Sequence, residues 1–199
     1  MSSEVERKLL EVLKTKDIIQ SKELKEMSIS SSQIQNMIKK EVLKRISRGL
    51  YSLPNVIDDP YLRLQAKYKK IIFSHETALS LHGMTDVTPS SLTVTVPRDY
   101  NYQHLTKVAG VKAKRVNSKR YVMGVEEITS PYGNIIKVYN KEKTLCDVVA
   151  KRSKTDSRIL KEAFNSYFNG ERKNLSMLMK FAKELKVEKD IRRYMDIMI

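Results

Sequence analysis

One stretch, residues 30–54 (SSSQIQNMIKKEVLKRISRGLYSLP), limits the possible folds of this chain more than any other. Its apolar residues Ile34, Met37 and Ile38 recur at the spacing of one buried helical stripe. Ser30, followed three residues later by Gln33, matches a capping box, in which each side chain bonds the backbone N–H of the other residue. The stretch therefore predicts a helix that begins directly after Ser30.

The residues that follow this helix predict a hairpin. Residues 43–46 and 50–53 are strand-like, and a three-residue loop, Ser47-Arg48-Gly49, separates them. The glycine suits a loop position that needs a positive φ. Arg48 is then expected at the hairpin tip, with Lys44 and Arg45 on the first strand.

The segment before residue 30 supplies the other parts of a known DNA-binding arrangement. Apolar residues 5, 9, 12 and 13 predict an amphipathic first helix, residues 17–19 a short strand, and residues 21–24 the start of a second helix. Ser28 and Ile29 form the turn into the third helix. Helix, short strand, helix, turn, helix and hairpin, in that order, predict a winged helix-turn-helix.

The exposed face of the third helix carries no acidic residue. At about 100° per residue, the face opposite the apolar stripe has Ser32, Asn36 and Lys39 at its centre. Hydroxyl, amide and ammonium groups are those that bond base edges and phosphates. With the flanking residues and the hairpin cations, the candidate DNA-binding residues are Ser32, Gln33, Gln35, Asn36, Lys39, Lys40, Lys44, Arg45 and Arg48.

Roles within this set follow from side-chain chemistry. Asn36 or Gln33 could pair with adenine, and Lys39 or Lys40 with guanine or phosphate. Arg48 would contact the DNA backbone or the minor groove. The alternative interpretation is an ordinary solvated helix and hairpin without a ligand.

The chain of 199 residues, 41% of them hydrophobic, is long enough for two small domains. Prolines and acids in residues 54–60 predict a connector, which places a winged helix-turn-helix domain at 1–55 and a second domain at 56–199. We expect the second domain to be mixed α/β and to end in a helical bundle, so that the fold class is α+β. With one cysteine, Cys146, no signal-like N-terminus and no run near the ~18 apolar residues of a membrane span, a cytoplasmic protein is expected.

The net charge of +15 favours a polyanionic partner, because neutralised phosphates release counterions. Residues 104–125 carry six basic and no acidic side chains. Together with Tyr100, Tyr102 and Tyr121, whose rings could stack on bases, this segment suggests a possible second nucleic-acid contact. Its candidate residues are Lys112, Lys114, Arg115, Lys119 and Arg120; the alternative is a solvated hairpin or loop.

The second domain offers few catalytic or metal-binding signals. Strands are predicted at 71–73, 91–97 and 135–139, with helices at 75–81 and 141–151 and three more after residue 155. His75 and His82 are two helical turns apart, but no cysteine or carboxylate set completes a zinc site, so ordinary packing is favoured. Neither a cofactor nor a metal is expected. The last stripe, Ile191, Tyr194, Met195 and Met198, would form a dimer surface only without a partner in its own chain.

Three motifs resemble a known family. They are residues 48–51 (RGLY) at the end of the N-terminal domain, residues 74–83 (SHETALSLHG) and residues 139–147 (YNKEKTLCD). In their order and spacing they resemble the AbiEi-type antitoxins of bacterial abortive-infection systems, over nearly the whole chain.

The resemblance implies a winged helix-turn-helix that binds inverted repeats in its own promoter and represses the operon. It also implies a C-terminal domain that counters a co-encoded nucleotidyltransferase-like toxin without a stable complex, as in type IV systems that defend against phage.

Two other classes of function are alternatives to this one. The first is an enzyme, such as a nuclease that uses Glu142 and Lys143. It would need metal-binding carboxylates that the sequence does not show, so enzymatic activity is not expected. The third class is a transcription factor or interaction protein whose C-terminal helices bind a partner protein directly. Asn36→Ala should relax DNA specificity, whereas a change of Lys40 should weaken binding to all sequences alike.

Overall fold

The computed structural model describes residues 2–152 and 155–198, which form α helices and β sheets in two compact units. One unit contains residues 1–69 and 129–136, and the other contains residues 70–128 and 137–199. The fold is therefore α+β, as the sequence predicted. In the described residues, no helix is both long enough and apolar enough to cross a membrane.

The first unit begins with three helices and three short strands. They are α1 (Ser2–Leu13), β1 (Ile19–Gln20), α2 (Ser21–Glu26), α3 (Ser31–Lys39), β2 (Lys44–Ser47) and β3 (Leu50–Ser52). The strands form one sheet in the order β1-β3-β2, with both pairs antiparallel. Leu9, Leu24, Ile34 and Leu43 join one buried cluster, because each helix turns its apolar stripe inward.

The predicted capping box at the start of α3 is confirmed. The Gln33 N–H donates to Ser30 Oγ over 3.3 Å, and the Ser30 N–H donates to Gln33 Oε1 over 2.8 Å. Left-handed residues end both neighbouring helices: Ser28 (φ 62°) follows α2 and Glu41 (φ 55°) follows α3. Both α2 and α3 therefore have sharp, hydrogen-bonded ends.

The hairpin differs from the prediction in its loop. Ser47 was expected in a three-residue loop, but it pairs with Leu50 as the last residue of β2, which leaves Arg48 and Gly49 as the turn. The register shifts between Arg45 and Ser47, so the extra residue forms a bulge in the strand instead of lengthening the loop. Gly49 has the expected positive φ, 80°.

The helix α4 (Pro60–Lys67) also belongs to the first unit. Asp59 caps it by accepting hydrogen bonds from the N–H groups of Tyr61 and Leu62. The predicted boundary at residue 55 thus falls before residues that continue the first compact unit. That residues 1–55 form a domain of their own stays a prediction.

The second unit is built around a five-stranded sheet with the strand order β6-β5-β4-β8-β7. In chain order its elements are β4 (Ile72–Phe73), α5 (His75–Leu81), β5 (Leu92–Pro97), α6 (Gln103–Thr106), β6 (Val111–Val116), α7 (Ser118–Val122), β7 (Val125–Thr129), β8 (Ile135–Tyr139) and α8 (Lys141–Val149). The basic stretch 104–125, whose alternative interpretation was a solvated hairpin or loop, contains most of the short helix α6, the edge strand β6 and the short helix α7. The last residue of β7, Thr129, and the first two residues of β8 fall in the 129–136 segment assigned to the first unit.

Three helices complete the chain: α9 (Ser157–Asn169), α10 (Leu175–Leu185) and α11 (Glu188–Met198). Their predicted apolar stripes pack with α8 in one core that includes Leu145, Phe164 and Leu178. Ile191 is fully buried, and the Tyr194 ring stacks on Phe164 with 4.1 Å between centroids. The last helix thus has a partner in its own chain, and the condition for a dimer surface is not met; the Met198 side chain lies outside the described residues.

Candidate nucleic-acid interface

The outward face of α3 presents the central residues that the sequence singled out. Ser32, Gln35, Asn36 and Lys39 are all exposed, while Ile34 and Met37 on the opposite face are buried. This division follows directly from helical geometry, since residues three and four apart share a face. The exposed face carries hydroxyl, amide and ammonium groups and no carboxylate.

Gln33 is held differently from its neighbours. Its Oε1 accepts the Ser30 N–H, and the side chain is only partly exposed. A glutamine that reads adenine uses both its oxygen and its nitrogen. Gln33 would have to release the cap to do so, which leaves Asn36 as the better placed amide.

Lys40 lies at the edge of this face, near α1. Its Nζ is 3.9 Å from Glu6 Oε1. Gln33, Asn36 and Lys40 also line a small cleft with Val5 and Glu6 of α1. Lys40 therefore approaches a carboxylate, whereas Lys39 does not line this cleft.

The hairpin carries the three predicted cations in exposed positions. Lys44 and Arg45 lie on β2, and Arg48 lies in the turn beside Gly49. Lys44 and Arg45 also line a cavity of about 100 Å³ whose wall includes Asp17 and Asp58. Arg48, in contrast to Lys44 and Arg45, does not line this cavity.

The second basic segment does not form one surface. Lys112 and Lys114 lie on one face of β6, opposite Thr93 and Thr95 of β5, and line a cavity. Arg115 alternates to the other face, where its guanidinium lies 4.7 Å from the centroid of the Tyr102 ring. The strand therefore separates the five cations that the sequence grouped together.

The remaining two cations of that segment bind α10. Lys119 Nζ donates to Glu184 Oε2 over 2.6 Å, and Arg120 Nη2 donates to the Glu184 carbonyl over 3.0 Å. The hydrogen bond from Lys119 lowers the pKa of the Glu184 carboxyl. Tyr121 donates its hydroxyl to the Lys70 carbonyl, so its ring position is fixed by the fold.

The two histidines have separate environments. His75 Nδ1 is 3.0 Å from Ser74 Oγ, and His82 Nε2 is 2.8 Å from the Tyr139 carbonyl. Burial lowers the pKa of both imidazoles. Within the described ranges, no group of three or more histidine, cysteine or acidic residues could hold a metal ion.

The 139–147 motif builds a buried polar network. Asn140 caps α8 by accepting the Lys143 N–H. Lys143 Nζ lies 2.6 Å from both carboxylate oxygens of Asp147 and 4.4 Å from the Tyr139 ring centroid. Burial raises the pKa of the Cys146 thiol to about 12, so this cysteine is not an activated nucleophile.

The match to a known family lies in the first unit. No curated protein matches the chain. Residues 7–54, which run from α1 to just after β3, match the sequence model of a family described as "Transcriptional regulator, AbiEi antitoxin". Over these residues, the chain is similar to the AbiEi antitoxin regulators that its motifs resembled.

Proposed function

We propose that the first unit is a winged helix-turn-helix that binds duplex DNA through α3 and the β2–β3 hairpin. The single observation that carries this proposal is the outward face of α3, where Ser32, Gln35, Asn36 and Lys39 are exposed without a carboxylate. A helix of this kind fits the major groove, and a basic hairpin beside it can reach the backbone or the minor groove. The family match over residues 7–54 supports the same assignment.

We further propose that the protein is an antitoxin that represses its own operon by binding inverted repeats in the promoter. The family description joins transcriptional regulation with antitoxin activity. By its resemblance, the protein would act in the cytoplasm in a type IV abortive-infection system against phage. We infer no enzymatic role, since the buried contact of Lys143 with Asp147 gives the Glu142-Lys143 pair a structural purpose.

The test of DNA recognition is a mobility-shift titration of the full-length protein on the DNA upstream of its own gene, with scrambled DNA as competitor. Asn36→Ala should reduce the preference for the operator by about 1–3 kcal/mol, because it removes a base-edge contact. Arg48→Ala should weaken binding to both DNAs alike and reduce the salt slope by about 1, because it removes a phosphate contact.

Lys8→Ala serves as the matched control for Arg48→Ala. Lys8 is exposed on α1, where it pairs with Glu4 one turn earlier. The Lys8→Ala variant should leave the operator preference unchanged. If Asn36→Ala kept the full preference for the operator, or Lys8→Ala removed as much affinity as Arg48→Ala, α3 and the hairpin would not be the DNA-binding surface.

Antitoxin activity should be separable from DNA binding. In cells that express the co-encoded nucleotidyltransferase-like toxin from an unrelated promoter, the full-length Asn36→Ala/Arg48→Ala variant should still restore growth. The physical reason is that neither residue belongs to the second unit. Co-purification of the tagged protein should yield no stable complex; a stoichiometric complex would instead support direct binding of a partner protein.

A further inference from the structure

A cavity of about 580 Å³ in the second unit takes no part in the proposed DNA contact. It lies against β5 and β6, beside the start of α5, and its wall includes residues 87–91 together with Thr155 and Asp156. Its wall contains three lysines, one histidine, two carboxylates and six serine or threonine hydroxyls. The volume is that of a small-molecule site, whose range is roughly 300–1,000 Å³.

The lysines are gathered by sheet pairing, not by their order in the chain. Lys112 and Lys114 are two residues apart on β6 and so share a face, opposite the buried Thr93 and Thr95 of β5. Lys151 lies in the turn that follows α8, nearly forty positions later. These three ammonium groups meet around one cavity only in the folded unit.

The charges of the wall are unbalanced in favour of cations. Of the two carboxylates, Glu76 accepts a hydrogen bond from Thr155 Oγ1 over 3.4 Å, and Asp156 caps α9 through the Arg158 N–H over 2.8 Å. In the part of the chain that the structure describes, none of the three lysines forms an ion pair with a carboxylate. The cavity therefore offers ammonium groups whose charge an anionic ligand can neutralise.

His75 adds an imidazole to this wall. Thr95 Oγ1 donates to Ser74 Oγ over 2.9 Å, and His75 Nδ1 lies 3.0 Å from the same oxygen. A neutral imidazole that accepts at Nδ1 carries its hydrogen on Nε2. Burial favours that neutral form by lowering the pKa of His75.

The backbone of His75 is also unusual. Its φ is 53°, in the left-handed region that side chains other than glycine rarely adopt. Such conformations persist where the surrounding structure imposes them, and they are concentrated at ligand sites. Here the ring, which lines the cavity, contacts the Ser74 hydroxyl, and Thr95 in turn holds that hydroxyl.

We propose that this cavity binds a small phosphate-bearing molecule of nucleotide size. Lys112, Lys114 and Lys151 hold the phosphate oxygens, His75 donates Nε2–H, and the hydroxyls bond the rest of the ligand. A mononucleotide fits this volume, whereas a duplex is far larger than the cavity and cannot enter it.

The test uses the full-length protein and a fluorescent ATP analogue, N-methylanthraniloyl-ATP, as the probe. ATP and inorganic pyrophosphate should displace the probe, and adenosine should not, because the phosphates provide the binding charge. Lys112→Ala/Lys114→Ala should weaken probe binding at least about tenfold through the loss of charge-assisted hydrogen bonds. Lys151→Ala, on a different element, should weaken it in the same direction.

The matched control is Lys8→Ala/Lys107→Ala, which removes the same charge from two exposed lysines outside the cavity. Thermal unfolding of each variant verifies that it is folded. Equal losses in the cavity and control variants, displacement by adenosine as effective as by ATP, or absence of probe binding would overturn the proposal. So would displacement of the probe by duplex DNA but not by ATP, which would assign these lysines to nucleic acid.

Discussion

Lys143 is a cation in a buried environment, which its charge disfavours. Only 1% of its side chain is exposed, and its ammonium group is held by Asp147 one helical turn later. A buried charge is tolerated when a partner and further polar contacts replace water, and here the Tyr139 ring supplies a cation–π contact as well. Burial and the Asp147 charge raise the pKa of Tyr139, which keeps that hydroxyl protonated.

Lys143→Met should therefore destabilise the protein strongly. It leaves Asp147 buried without its cation, at a cost of about 3–5 kcal/mol in the free energy of unfolding. Lys143→Met/Asp147→Leu should recover much of the loss, since both charges are gone. Urea unfolding followed by circular dichroism measures both variants.

Arg158→Met is the comparison for Lys143→Met, since Arg158 forms the same i,i+4 ion pair with Glu162 at an exposed site. It should change the unfolding midpoint far less. If the two single variants lost similar stability, or the double variant were no better than Lys143→Met, burial would not explain the role of the pair.

At the scale of elements, Asp59 joins a helix to a distant segment of the same unit. Its Oδ1 accepts the first N–H groups of α4, while Oδ2 accepts Ser130 Oγ over 2.5 Å and Asn134 Nδ2 over 3.1 Å. Only 2% of Asp59 is exposed. One carboxylate thus caps α4 and holds the 129–136 segment.

Asp59→Ala should cost about 2–4 kcal/mol, because the cap and the hydrogen bonds to a buried charge are lost together. Amides of residues 129–136 should then exchange with solvent hydrogen much faster than in the unchanged protein. Hydrogen-exchange mass spectrometry provides that measurement, and chemical denaturation gives the free energy.

Asp58→Ala is the neighbouring control, as Asp58 is exposed and pairs with Arg63. It should leave exchange in 129–136 unchanged. Faster exchange there in Asp58→Ala, or unchanged exchange in Asp59→Ala, would show that the segment is held by something other than this carboxylate.

The elements differ in how far the sequence could predict them. The start of α3 was predictable because Ser30 and Gln33 encode its cap within four residues, and Asn140 does the same for α8. The bulge in β2 was not, because it depends on how Tyr51 and Leu50 pair across the hairpin. A register shift leaves no local signal in the strand itself.

The candidate sites show the same division. The exposed face of α3 follows from helical period alone, so Asn36 and Lys39 could be named in advance. The separation of Lys112 and Lys114 from Arg115 depends on strand pairing with β5, and the approach of Lys151 depends on packing across the unit. The positive φ of His75 could not be predicted from the sequence either, because the residue is not glycine.

At the scale of the whole molecule, charge is distributed over both units. The first unit carries 14 basic and 9 acidic side chains, and the second carries 24 and 14. Two-thirds of the net positive charge therefore belongs to the unit that does not contain α3. Salt dependence of DNA binding should be interpreted through single-residue variants for this reason, since total charge does not identify the contacting surface.

The first unit is discontinuous, because residues 129–136 belong with residues 1–69. A ribosome adds residues from the N-terminus, so α1 to α4 are complete well before Ser130 and Asn134 are made. Asp59 therefore lacks its hydrogen bonds to Ser130 and Asn134 while residues 70–128 are synthesised. The nascent first unit therefore reaches its final stability only after most of the sheet of the second unit has emerged, which couples the maturation of the two units in time.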